Sequence, residues 1–408
     1  MLHNKLKIFN DPIYGFITIP NSIIFHLIEH PYFQRLRRIS QMGMSYLVYP
    51  GAHHTRFHHA LGSMFLMQKA VQVLRSKAVV ISEDEEQALY VAIMLHDIGH
   101  GPFSHAMEHS IVENIPHEHL SLKFMEFLNT KFNRQLDLAI SIFRGEYPRK
   151  YMGQLISSQI DMDRADYLKR DSFYTGVAEG NINSERLITM LNVVDDELVI
   201  EEKGVYSIEK FLIARRFMYW QVYLHKTGIV AEELLMRALK RAKFLVENGI
   251  PVNASSALLY FLERKIRLSE VTSKVLSQFA LLDDYDIIFA LKNWMCHKDF
   301  VLSELSKMII NRQLLKIKLK TKPVAKRKTQ NLIAQVMAKH NLSSEEASYF
   351  VFTNAITNRA YNPKAQPVNI LMKTGEIKPL NKVSHHLNIG SMSKVVTKYY
   401  ICYPKSLD

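Results

Sequence analysis

The chain has 408 residues, 48% hydrophobic and 22% charged. That is enough apolar material for one large domain with an appendage, or for two or three domains, and it argues against a disordered polymer. A net charge of +13 suits anionic partners such as nucleotides, RNA, DNA or anionic lipid; it does not choose among them, and charge kept for solubility would give the same balance.

In chain order, the first fifty residues mix short extended pieces with turns at Asn10-Asp11-Pro12, Tyr14-Gly15 and Pro50-Gly51. The N-terminal run MLHNKLKIFNDPIYG has no apolar signal region, and no apolar stretch is long enough to span a bilayer, so a cytoplasmic protein off the membrane is expected. From about residue 55 the pattern turns helical, with Ala60, Met64, Met67, Val71 and Leu74 on one face. Ser82 with Glu85 predicts a capping box, and Glu83, Asp84 and Glu86 add negative charge to that first turn. Leu89, Ala92, Ile93 and His96 share a face of the helix that follows, which Gly99 and Gly101-Pro102 end. One helix is expected over about 151–170, with Ile156, Ile160, Asp163 and Tyr167 as its inward stripe. Residues 191–207 predict a hairpin turning at Asp195-Asp196. A long helix runs from about Ile208 past Leu224, and further helices reach about 312.

The stretch 312–328 is strongly basic, with Arg312, Lys316, Lys318, Lys320, Lys322, Lys326, Arg327 and Lys328. It fits a nucleic-acid or polyphosphate contact, or a solvated linker or interface loop, and the second is adopted. The last fifty residues mix helix and strand, with a turn at Lys373-Thr374-Gly375-Glu376 and a strand from Val395 to Tyr403. The fold class is therefore mainly α, with small β-hairpins and a smaller α+β C-terminal region over 311–408 that packs on the first part and contributes to oligomer contacts. The cysteines, Cys296 and Cys402, lie far apart and outside any C-x-x-C pair, which argues against a zinc ribbon or a disulfide framework and fits a reducing compartment.

The densest chemistry is LHDIGHGPFSH at 95–105. His96 and Asp97 are adjacent, so a helix cannot aim both along one line, but they can converge on one ion where the backbone turns at a helix end. Nitrogen and carboxylate donors together suit Mn, Fe, Ni, Zn or Mg. An imidazole on an apolar face needs a partner, which either a metal or a backbone carbonyl would supply. The crowding of Asp97, His100 and His105 beside it favours the metal. TRFHHALG at 55–62 opens a helix with Arg56, His58 and His59, and Gly62 and Ser63 are small enough for another backbone to pack closely. DMDRADYLKRD at 161–171 places Asp163 on an apolar stripe, where a carboxylate needs a cation, several donors or a salt bridge to a core arginine.

These stretches together resemble the HD superfamily, whose signature is His, then His-Asp, then a distant Asp. The longer runs QMGMSYLVYPGAHHTRFHHALG at 41–62, LHDIGHGPFSH, HEH at 117–119 and DMDRADYLKRD are similar to its deoxynucleoside triphosphate triphosphohydrolases, over roughly residues 5–310. The sterile alpha motif that vertebrate members carry is not seen. The resemblance implies an HD-domain helical core, with residues 1–310 as the catalytic region and a metal core at about 53–171. It implies His59, His96, Asp97 and Asp163 as ligands of a divalent metal, whose identity stays open. It places His100, His105, His117 and Glu118 around the reaction centre, with His105 protonating the leaving oxygen or holding the phosphate. The implied reaction is attack of a metal-activated water on the α-phosphorus of a dNTP, giving a deoxynucleoside and inorganic triphosphate.

Arg164, Tyr167 and Asp171 share a helix face, as do Arg215, Tyr219 and Tyr223. Spacing alone fits amphipathic helices with snorkelling arginines. The resemblance makes Arg56, Arg164, Tyr167, Asp171, Arg215 and Tyr223 contacts to triphosphate or sugar, and sets Gln41 near the sugar 3′ hydroxyl. Met42 stands where vertebrate members have leucine, and its flexibility predicts weaker exclusion of a ribose 2′ hydroxyl. His58 replaces an acidic residue, and Arg164 a lysine. Lys7, Asn10, Gln34 and Arg37, with Glu29 in place of an aspartate, resemble part of a second nucleotide site at a subunit interface. That implies a nucleotide effector and a homo-oligomer, dimer or tetramer. Competing with the dNTPase are an HD-type phosphodiesterase or phosphatase acting on a cyclic dinucleotide or alarmone, and a nucleotide- or nucleic-acid-binding regulator.

Overall fold

Helices build the frame, and the first two decisive ones are set by local chemistry. The computed structural model describes residues 7–103, 105–108, 110–111, 115–363, 366–384 and 389–407. The helix Arg56–Ser76 buries Ala60, Met64, Met67, Val71 and Leu74, the predicted stripe. His58 turns back to accept the Thr55 backbone N–H on Nδ1 at 3.2 Å, so this imidazole closes the N-terminal turn. The helix Glu83–Leu95 begins with the predicted box: Glu85 Oε2 accepts from Ser82 N at 2.8 Å and Ser82 Oγ from Glu85 N at 3.2 Å. Every residue from Ala88 to Leu95 is buried, so this helix is enclosed by its neighbours. Ser82→Ala removes one of those two bonds and is expected to lower the unfolding free energy by about 1 kcal/mol, read as a lower urea midpoint at unchanged slope.

Three elements differ from expectation. Residues 151–170 form two helices, Lys150–Ile156 and Met162–Thr175. Asp161 makes the break: its carboxylate accepts from Ser158 N and from Arg164 N, both at 2.7 Å, which caps the second helix and turns the chain before it. The hairpin is shorter than 191–207. The strands Leu191–Val194 and Glu197–Glu201 pair with Leu191 opposite Ile200, and Asp195 and Asp196 both adopt left-handed φ, 50° and 57°, as a two-residue turn requires. The chain then enters the helix Val205–Met218. The basic segment is no linker: Lys316–Lys320 is an edge strand, because Ile317 and Leu319 alternate with its lysines, and Lys326–His340 is a helix.

The helix Val205–Met218 continues into a wide turn, Tyr219–Tyr223, where Leu224 N–H donates to Tyr219 O at 2.8 Å across five residues, and then into the helix Lys226–Glu247. Near the N-terminus, strands Ile8–Asp11 and Gly15–Thr18 form a hairpin, followed by the helix Ser22–Glu29, which periodicity had not revealed. Two small sheets complete the chain. Lys316–Lys320 and Phe352–Asn358 flank the strand Val396–Tyr403, all antiparallel. Asn369–Leu371 adds parallel to Glu197–Glu201 and pairs with Ile377–Pro379 across the predicted turn, so residues beyond 310 extend the 191–201 hairpin. Among the described residues, no helix is long and apolar enough to cross a membrane.

Candidate metal centre

The helices Arg56–Ser76, Glu83–Leu95 and Met162–Thr175 meet at their polar ends, and four predicted side chains converge there. His59 sits in the first turn of one helix and Asp163 in the first turn of another. His96 and Asp97 follow directly after Leu95, where the backbone leaves the helix, and this lets neighbours in sequence face the same point. His59 Nε2 lies 3.1 Å from Asp163 Oδ1 and 3.8 Å from Asp97 Oδ2. His96 Nε2 lies 3.3 Å from Asp97 Oδ1 and 3.5 Å from Asp163 Oδ1.

The ring orientations decide what such a cluster can hold. His59 Nδ1 is 2.7 Å from Asp166 Oδ2, and His96 Nδ1 is 2.6 Å from the Ile93 carbonyl. Both Nδ1 atoms face acceptors, so both carry the proton, and the Nε2 lone pairs turn inward. Those two Nε2 atoms are buried and have no hydrogen-bond partner among the described residues. Two lone pairs and two carboxylates around one point attract positive charge. Burial pulls the His59 imidazole down, yet Asp163 and Asp166 outweigh it and raise it to about 10, so the Nε2 lone pair is open to a metal ion only when that ion takes the place of a proton. Burial opposes the charge of Asp163 too, but His59 and His96 hold its carboxyl below the usual range. A divalent ion with mixed nitrogen and oxygen ligands fits this donor set.

Behind His59 stands an ion pair that sequence reasoning missed. Arg170 donates to both oxygens of Asp166 at 2.9 Å and to Asp11 Oδ2 at 2.7 Å, with Asp166 and Arg170 wholly buried. Their signal was present as an acid and a base four residues apart within DMDRADYLKRD. Gly62 makes room for these side chains rather than for a backbone: a Cβ there would sit 2.1 Å from Asp166 Oδ1 and 2.2 Å from Arg170 Nη2.

A second group adjoins the first. Asp97, His100 and His117 bring one ligand atom each within 4.8 Å of one another. Arg56 pairs closely with Asp97. His100 Nε2 is 3.4 Å from Asp97 Oδ1, and its ring stacks on His117 at 3.7 Å between centroids. Burial and the nearby Arg56 push His100 well below its ordinary pKa, so it is a neutral ring at pH 7. Glu118 lies 3.5 Å from His117 Nε2 and is mostly exposed. His105 begins the helix His105–Glu108, but its side chain lies outside the described residues.

The HD domain family matches residues 56–171, and the HD associated region matches 182–251. The crystal structure of a phosphohydrolase from Bacteroides thetaiotaomicron is 49% identical with a TM-score of 0.95, covering 98% of this chain and 100% of that one. Protein YwfO of Bacillus subtilis is 31% identical over 98% of this chain and 93% of its own. The chain belongs to the HD-domain phosphohydrolase family. It is also similar to human deoxynucleoside triphosphate triphosphohydrolase SAMHD1, at 29% identity over 60% of this chain and 46% of that protein, so it spans about half the length of that relative.

Beside the HD histidines lies a group of polar and aromatic side chains. Asp171 is the hub: Oδ1 is 2.6 Å from His54 Nε2, and Oδ2 accepts from Tyr223 O–H at 2.8 Å. The Tyr167 ring lies 6.1 Å from that of Tyr223 and 6.4 Å from that of His59, which joins this group to the metal centre. The wide turn at 219–223 sets Tyr223 in this place. Gln41 N–H donates to His54 O at 3.0 Å, and Gln41 Oε1 is buried with no partner among the described residues. Met42 next to it is buried. His54 was missed because it lies in an irregular stretch, where no periodicity marks a facing side chain. Arg215 donates to Gln159 Oε1 at 3.2 Å, and Arg164 is held in a close ion pair by Asp161.

Of the five residues at the expected effector site, Lys7 and Asn10 lie at the first strand, and Glu29 and Gln34 are linked to Arg37. Arg37 donates to Gln34 Oε1 at 2.9 Å, lies 3.6 Å over the Phe57 ring and feels the charge of Glu29. Phe9, next to Asn10 on the first strand, packs on the same Phe57 ring at 6.0 Å. Lys7 sits over Phe25 at 4.9 Å.

Proposed function

We propose that this protein hydrolyses dNTPs to deoxynucleosides and inorganic triphosphate, with a divalent ion held by His59, His96, Asp97 and Asp163. The observation that supports it most is the pair of buried, unpartnered Nε2 atoms facing two carboxylates, set beside the Asp171–Tyr223–Gln41 group. When bound, such an ion supplies Lewis acidity toward a phosphoryl oxygen and acidifies water. The chain's own groups do the rest. Arg56, paired with Asp97, brings a guanidinium to the phosphate oxygens. Asp171, Tyr223 and the Gln41 side-chain carbonyl bind the sugar hydroxyl, and Tyr167 bounds the sugar face. Arg164 and Arg215 offer charge to the triphosphate. A water oxygen bonds to the α-phosphorus as the bond from that phosphorus to the 5′ oxygen breaks; the water gives up a proton to solvent, and the 5′ oxygen takes one. His105 is the donor in this reading, with His100, His117 and Glu118 around the phosphate.

The test incubates purified protein with each dNTP and NTP, a cyclic dinucleotide and an alarmone, with Mn or Mg, and resolves the products. Deoxynucleoside with intact triphosphate is expected. Release of monophosphate or orthophosphate from dNTPs, or turnover of the cyclic dinucleotide or alarmone alone, would refute it. Tyr223→Phe keeps the ring and removes the O–H donated to Asp171. It is expected to raise KM for dNTP about fivefold, the equivalent of one hydrogen bond of about 1 kcal/mol, with little change in kcat. Equal losses in kcat and kcat/KM, with KM unchanged, would instead place Tyr223 in the chemical step.

Lys7, Asn10, Glu29, Gln34 and Arg37 form the proposed effector site, which requires an oligomer, dimer or tetramer. Sedimentation with and without dNTP checks this, and an unchanged oligomer counts against it.

A further inference from the structure

Two buried charged side chains outside both matched HD segments grip the loop that carries His96, Asp97 and His100. Arg35 is wholly buried, with its guanidinium 5.4 Å from the Phe124 ring and 5.2 Å from that of Phe279. No carboxylate makes an ion pair with it among the described residues. Its Nη2 donates to the Ile98 carbonyl at 2.7 Å and to the His100 carbonyl at 2.8 Å. Both carbonyls lie past the end of the helix Glu83–Leu95, where no intrahelical donor reaches them. Burying a cation this way is unfavourable, and a methionine would fill the space between two phenyl rings more cheaply. What the guanidinium adds is a brace across the two residues flanking Gly99.

Asp284, the first residue of the helix Asp284–Trp294, acts on the same loop from the other end. Its Oδ1 accepts from Phe103 N at 2.9 Å and its Oδ2 from Ser40 N at 2.8 Å. Phe103 has φ of +49°, a left-handed backbone that a phenylalanine adopts only when its surroundings enforce it. The helix His105–Glu108 starts two residues later. Ser40 precedes Gln41, whose own N–H is fixed on His54 O at 3.0 Å. One carboxylate therefore ties the turn leading to His105 to the segment carrying Gln41.

We infer that Arg35 and Asp284 are positioning residues: they hold the 97–103 loop and the Gln41 segment in mutual register for the reaction. Only the kinetic part of this rests on the proposed function. Asp284→Asn retains the shape and replaces one acceptor by an NH2 group, so either Phe103 N or Ser40 N loses its partner. Arg35→Met retains the packing and loses both carbonyl bonds.

The experiment measures amide hydrogen exchange, metal content and steady-state kinetics on the full chain of wild type, D284N and R35M. In both variants, exchange in the peptide spanning 98–103 is expected to accelerate tenfold or more, while the helix Glu83–Leu95 is unchanged. Metal content stays within twofold, kcat falls tenfold or more, and KM moves little. R35M is expected to unfold no more readily than wild type, a result that a purely stabilising arginine would not give. Unchanged exchange in 98–103 overturns the inference, and so does activity lost only in proportion to the unfolded fraction. If wild type hydrolyses no nucleotide offered, the proposed reaction fails, and the exchange measurement still decides whether the two residues brace the loop.

Discussion

His96→Ala is expected to empty the centre: less than a tenth of the wild-type metal per chain, and hydrolysis reduced by about 10³-fold or more. Its Nε2 is one of two inward lone pairs, while its Nδ1 only bonds the Ile93 carbonyl at the helix end. Alanine thus removes a proposed ligand and is expected to leave the helix Glu83–Leu95 largely intact. Asp97→Ala is expected to abolish hydrolysis as well and to destabilise the fold, because it strips Arg56 of the carboxylate it pairs with in a buried place. A readout free of activity accompanies these. An added divalent ion is expected to raise the unfolding temperature of wild type by binding the native state, and to have no such effect on His96→Ala. His58→Ala is the neighbouring control. Its ring closes the N-terminal turn of the helix Arg56–Ser76, so it is expected to lose about 1 kcal/mol of stability and retain its metal. Full activity in His96→Ala would end the assignment of this centre.

Gly62→Ala is expected to destabilise the protein by about 3–5 kcal/mol, the range for a broken buried ion pair. One methyl group would stand 2.1 Å from Asp166 Oδ1 and 2.2 Å from Arg170 Nη2. Neither side chain can withdraw. Asp166 also fixes His59 Nδ1 at 2.7 Å, and Arg170 also holds Asp11 at 2.7 Å. The clash therefore propagates to the orientation of a proposed ligand, and metal affinity is expected to fall with stability. Asp166→Asn separates the two effects. It retains the shape and a carbonyl for His59 Nδ1 but loses the charge opposite Arg170, and a 10–100-fold loss of metal affinity is expected, as for other partners of metal-binding histidines. Gly228→Ala is the contrast, since a Cβ there meets nothing within 4 Å and helix propensity alone predicts a gain of up to about 1 kcal/mol. Urea unfolding together with metal titration reads all three. A Gly62→Ala protein as stable as wild type would show that the ion pair is not the constraint described.

What was legible in the primary structure was whatever depends on residues three or four apart. The Ser82–Glu85 box, the apolar stripe of the helix Arg56–Ser76 and the Asp195-Asp196 turn form because each rests on steps of no more than four residues along the chain. The HD signature is legible for a related reason: the chemistry fixes its residue types, and His96-Asp97 sit together in sequence. The break at 157–161 escaped detection because an apolar stripe runs through it, and the capping of Asp161 by two backbone N–H groups outweighs that periodicity.

The amino-acid order by itself determined the family, the mainly helical class and the residue types available for a metal centre. Tertiary packing decided which atoms face one another. Asp11 meets Arg170, Arg35 meets the carbonyls of Ile98 and His100, and Asp284 meets Ser40 and Phe103 only when segments far apart in the chain are packed together. The physical reason is one of range. Caps and helix faces follow from the local backbone, whereas pairing a buried charge requires partners that arrive with the rest of the core, and no spacing along the chain encodes their direction.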